Sequence, residues 1–125
     1  MDRACELSLS STLAIGNLMS RREKIEAMLA DEPRDVFLRY SLAMEFDKEG
    51  RHDESLSALM ELTREDQAYV PAFFMAGQQL ARLERTDDAR EVLREGIEEA
   101  RRQGDTHAAG EMAELLASLG RDTST

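Results

Sequence analysis

Residues 70–103, VPAFFMAGQQLARLERTDDAREVLREGIEEARRQ, decide how the rest of this chain is read. The stretch holds two apolar-periodic segments, each long enough for a short helix and separated by a brief polar turn. Pro71 stands where the first helix should begin, a position that tolerates a missing amide. That helix should end near Leu83. Thr86 should cap the next, with Asp87 and Asp88 at its positive end and Arg101 and Arg102 at its negative end.

The preceding 34 residues, 36–69, VFLRYSLAMEFDKEGRHDESLSALMELTREDQAY, repeat the same plan. Ile25, Leu59 and Leu93 recur at intervals of 34, as do Met28, Leu62 and Gly96. Ala43 matches Gly77, Phe46 matches Leu80, and Ser55 matches Ala89 at that spacing. One interval equals two short helices and two tight turns. Such a hairpin cannot bury its apolar face alone, so neighbours must stack to complete a core. The expectation is an all-α chain of about six helices. Small residues at Ala43, Gly77, Ser55 and Ala89 should mark close helix crossings, where bulk such as Gly77→Leu would destabilise.

Working outward, Ser20 and Glu23 form a capping-box pair that opens a helix carrying Ile25, Met28 and Leu29 on one face, and Pro33 stops it. A second helix should span about Val36 to Glu49, with Leu38, Leu42, Ala43 and Phe46 inward and Gly50 as its C-terminal cap. A third, from about Asp53 to Glu65, should bury Leu56, Leu59 and Leu62. A last helix, 105–119, carries Met112, Leu115, Leu116 and Leu119 on one side and polar residues on the other, as a capping element should. Residues 121–125 read as a tail. Residues 1–18 differ in texture, rich in Ser and Leu without the basic start and unbroken apolar run of a secretory signal, and read as a loosely ordered leader. Met19 offers an alternative start, which would remove that leader together with Cys5.

These motifs resemble the tetratricopeptide repeat family. Its signature of aromatic-x2-Leu-Gly-x2-Tyr, then Ala-x3-Phe, is approached by Phe73-x2-Ala76-Gly77-x2-Leu80 with Ala89-x3-Leu93. It is approached again by Arg39-x2-Leu42-Ala43-x2-Phe46 with Ser55-x3-Leu59. Arg39 replaces the aromatic, and Gln67 and Arg101 replace the closing proline. The resemblance implies a half repeat at 20–35, full repeats at 36–69 and 70–103, and the capping helix. It also implies a protein-binding scaffold whose first helices line a concave groove. Carried over by register, that groove holds Phe37, Tyr40, Ser41, Met44, Asp47 and Lys48, then Pro71, Phe74, Met75, Gln78, Ala81 and Arg82. Phe37, Tyr40, Met44, Phe74, Met75 and Gln78 would supply the binding strip, with Lys48 and Arg82 orienting a bound peptide or helix. The Lys/Asn/Arg set that family members use to clamp acidic tails is absent, because Tyr40, Met44, Phe74 and Gln78 stand in its place. The alternative is a structural subunit, a homo-oligomer whose groove is closed by self-association, or a groove filled by residues 1–18 or by the last helix.

Composition narrows the function classes. The 125 residues carry 26 Asp plus Glu against 16 Lys plus Arg, a net charge of −10 that repels nucleic acid and acidic membrane surfaces. No apolar run approaches the roughly 20 residues that span a bilayer. One cysteine forms no internal disulfide, and no Cys/His set has zinc spacing. No phosphate loop occurs, and neither His52 nor His107 has a neighbour that suggests a nucleophile or metal pair. The expectation is therefore a cytoplasmic, non-enzymatic protein without cofactor or metal. Its basic residues are nearly all Arg, with Lys only at 24 and 48, a composition suggesting a GC-rich bacterial genome.

Overall fold

The computed structural model describes residues 19–123, with side chains described as far as residue 120. Six helices follow one another among them: α1 (Arg21–Asp31), α2 (Val36–Lys48), α3 (His52–Thr63), α4 (Val70–Arg82), α5 (Thr86–Arg102) and α6 (Thr106–Thr123). Each packs on the next, and α4 also touches α6, so α2/α3 and α4/α5 are antiparallel hairpins in one stack. The leader residues 1–18, with Cys5, lie outside the described residues.

Local chemistry starts and stops these helices. Ser20 Oγ accepts from the Glu23 amide at 3.1 Å while Glu23 Oε1 accepts from the Ser20 amide at 3.0 Å, completing the expected capping box. Those bonds, the Ser20 backbone amide first, hold the Glu23 carboxyl below the usual carboxylate range. Asp35 caps α2 through the Leu38 amide at 2.9 Å. Thr86 does not cap α5. The α4 exit turn is so tight that Arg85 occupies the cap position, its carbonyl accepting from the Ala89 amide at 3.0 Å. Helix α6 is capped by Asp105 and continues beyond Leu119 to Thr123.

The exits of α2 and α4 share one geometry. The Arg51 amide bonds the Phe46 carbonyl at 2.9 Å and the Gly50 amide bonds Asp47 at 3.0 Å; one repeat later, Arg85 bonds Leu80 at 2.8 Å and Glu84 bonds Ala81 at 3.1 Å. This motif needs a left-handed residue just past the helix. Gly50 supplies it at φ 79°, whereas Glu84 is forced to φ 62° with a side chain in place.

The three equivalent residues Ile25, Leu59 and Leu93 are all buried, and Leu59, Leu62, Leu93 and Met112 are fully enclosed. Full burial of side chains this size contributes about 1.5–3 kcal/mol each. Gly77, expected at a close crossing, stands at one, and Gly96 marks a second that was not expected. A Cβ on Gly77 would stand 2.5 Å from Leu93 Cδ2. One on Gly96 would stand 2.6 Å from both Phe73 Cβ and Met112 Sδ.

Two inward assignments need correction. In α2 only Ala43 of the four expected residues is buried, with Leu38, Leu42 and Phe46 half-buried, while the buried polar residue there is Glu45. Met28, expected on the apolar face of α1, is 50% exposed although its repeat equivalent Leu62 is 0% exposed. The reason is positional: Leu62 lies inside a hairpin, while α1 has no preceding helix to pack on among the described residues. Arg39 takes the register of buried Phe73 and is tied instead to Glu65 by an ion pair.

The interface between repeats carries a polar series that was not expected. Glu45 and Gln79, 34 apart, are both buried. Glu45 pairs with Arg21 at 2.8 Å; Gln79 Oε1 lies 3.1 Å from Ser55 Oγ, which donates to the Ala43 carbonyl at 2.7 Å. One repeat further, the positions equivalent to Ser55 and Gln79 are Ala89 and Ala113, so that register becomes apolar along the stack.

Candidate functional site

The first helix of each repeat and α6 form one face. Tyr40 of α2 stands edge-on to Tyr69, ring centroids 5.4 Å apart at 65°. Burial, and in second place the Tyr69 hydroxyl, push the Tyr40 phenol up, so it is a neutral group at physiological pH. Tyr40, Val70, Pro71, Phe74 and Ala108 line a cleft of about 200 Å³ edged by Asp105, His107 and Glu111. Phe74 also lines an adjoining, more open depression with Thr106, His107, Gly110, Glu111, Glu114 and Leu115. The result is an aromatic floor with a carboxylate rim.

Of the residues assigned to the groove by register, Tyr40, Pro71 and Phe74 are brought together in these clefts. Met44, Met75 and Gln78 are half-buried on the same helices and line neither cleft, and Phe37 is 68% exposed. The two cations are both engaged. Lys48 Nζ lies 3.7 Å from Glu45, and Arg82 donates to Asp47 Oδ2 at 2.9 Å, linking α4 to α2. His52 Nδ1 sits 3.0 Å from the other oxygen of the same Asp47 carboxylate. Burial pushes that carboxyl up, but the hydrogen bonds from Arg82 and His52 outweigh it and hold Asp47 below the usual carboxylate range. His52 is thus a link in a structural network.

The sequence offered the last helix as a cap or as an element filling the groove, and the 34-residue interval also carries it into the lining of the cleft. Adding 34 once more to Phe37/Pro71 and to Tyr40/Phe74 gives Asp105 and Ala108, both of which line the cleft. Helix α6 thus adds a third ridge beside α2 and α4. His107 and Glu111 fall off that register and pair with each other at 2.5 Å along the helix.

The opposite face carries a depression of about 530 Å³ between α3 and α5, with Leu56, Met60, Phe73 and Val92 beneath charges of both signs. Among the described residues no group of three or more His, Cys, Asp and Glu side chains is placed to hold a metal ion, and no helix is long and apolar enough to cross a membrane.

Neither a family model nor a curated protein matches the sequence. Solved structures do. A tetratricopeptide repeat domain protein from Salinibacter ruber is 34% identical in its solution structure, which covers 70% of this chain and 88% of that one at a TM-score of 0.66. Its crystal structure gives 34% identity over 69% of this chain and 97% of that one, at a TM-score of 0.62. The solution structure of a Bordetella parapertussis protein is 26% identical, covers 84% of this chain and 91% of that one, and superposes at a TM-score of 0.72.

Proposed function

This chain belongs to the tetratricopeptide repeat family, and from that membership we propose that it is a protein-interaction module that receives a peptide or helix on the concave face of α2, α4 and α6. The fold is one commonly used for protein–protein contact. The observation that carries the proposal is the cleft in which Tyr40, Pro71 and Phe74 meet from two successive repeats. Aromatic surfaces that are half-buried and held by their own packing lose little entropy when a partner covers them. Phe37, Met44, Met75 and Gln78 extend the same face along α2 and α4 and would contact a longer segment. Lys48 and Arg82 act through Glu45 and Asp47, fixing the helix ends that flank the face.

Panning a displayed library of random 12-residue peptides against the full chain tests this reading. Binders enriched on the parent should lose most of their affinity for the variant combining Tyr40→Ala with Phe74→Ala, provided circular dichroism shows that variant folded. Retained binding would reject the groove. Light scattering across a wide concentration range tests closure by self-association, which requires a mass that rises with concentration.

A further inference from the structure

Resting on that reading, we infer that the segment received by the concave face is basic: a short peptide joining an aromatic or aliphatic anchor to adjacent Lys or Arg residues. The two adjoining clefts share Phe74, and their charged lining residues are Asp105, Glu111 and Glu114, with no Lys or Arg. Asp105 uses one oxygen to cap α6 at 3.1 Å, leaving the other unassigned to that bond. Glu111 meets His107 at 2.5 Å along α6, and Glu114 stands one turn further on the same exposed face.

Lys48 and Arg82 line neither cleft, Lys48 lying 3.7 Å from Glu45 and Arg82 donating to Asp47. An acidic ligand would approach a rim of like charge, which costs affinity and on-rate. A basic ligand places its apolar anchor against Tyr40, Pro71 and Phe74 while its cations reach carboxylates one helical turn apart on α6. The net charge of −10 adds long-range attraction of the same sign.

The test uses the same random-peptide panning on the full chain, read for charge. Peptides enriched on the parent should carry Lys or Arg beside an aromatic or aliphatic residue, and their binding should weaken several-fold between low and high salt. With one such peptide, backbone amide shifts of residues 105–115 and of Phe74 should move. The double reversal Glu111→Lys with Glu114→Lys, on an exposed face of α6, should weaken binding at least tenfold. Glu91→Lys with Glu95→Lys, an equal charge change beside the opposite depression, should alter it less than threefold. Equal weakening by both pairs would reduce the effect to bulk charge and overturn the inference. Enriched peptides that are neutral or acidic yet lost with Phe74→Ala would overturn it while leaving the groove reading intact. Absence of any Phe74-dependent enrichment would overturn both.

Discussion

Replacing Gly96 by Ala tests one of the two close crossings marked by glycine. The added Cβ would stand 2.6 Å from Phe73 Cβ and from Met112 Sδ, about 0.8 Å inside ordinary van der Waals contact. Phe73 Cβ is one bond from the α4 backbone and cannot yield without moving the helix, and the fully enclosed Met112 has little room to turn aside. Overpacking costs about 1–3 kcal/mol, and a clash this deep against a Cβ atom belongs to the upper part of that range, about 2–3 kcal/mol. Against it stands the gain of about 1 kcal/mol from Gly to Ala in a helix interior. The expected net loss is about 1–2 kcal/mol, or roughly 4–10 °C in a thermal melt. Gly110→Ala in α6 provides the control, because a Cβ there meets nothing within 4 Å. It should stabilise by about 0.5–1 kcal/mol through propensity alone. Circular dichroism melts and urea titrations of both variants read the contrast. If Gly96→Ala melts at or above the parent while Gly110→Ala rises as expected, α4, α5 and α6 do not approach this closely and the packing argument is wrong.

Other outcomes follow from single residues. Glu84→Gly should raise stability by about 0.5–1 kcal/mol in urea titration, since a side chain at φ 62° strains a turn that Gly50 makes freely one repeat earlier; no gain would show that the turn carries no strain. Leu62→Ala should cost about 2–5 kcal/mol and Met28→Ala less than about 1, despite their shared register, because only Leu62 is enclosed; equal costs would mean that Met28 is covered. Asp47→Asn should lower stability by about 1 kcal/mol at pH 7 by breaking the link to Arg82 and His52. Its carboxyl titrates lower in the folded chain than in the unfolded one, so the contribution is complete above the unfolded value, near pH 4, and disappears as pH falls through the folded value. Urea midpoints of parent and variant should therefore converge as pH falls through the folded value, and a gap that does not narrow as pH falls from 7 would exclude Asp47 as its source.

The interval of 34 residues was enough to specify stacked hairpins, because helix length, turn length and the spacing of buried positions are all local or near-local quantities. Ile25, Leu59 and Leu93 were legible as core, and Gly77 as a close crossing, from that interval alone. The aromatic floor was legible too, as Tyr40 and Phe74 share a register. The rim was not. Whether Lys48 and Arg82 face a ligand or an internal carboxylate depends on distances across helices, and side-chain reach of a few ångströms decides it. Met28 has the register of a core residue but lacks the neighbour that would enclose it, so its exposure depends on where the stack of described helices begins. The same physics gives α6 its double part: its inner face finishes the core through Met112, while its first turns stand beside Phe74 and complete the concave surface. Periodicity fixes which residues recur; only the folded arrangement fixes what each recurrence meets.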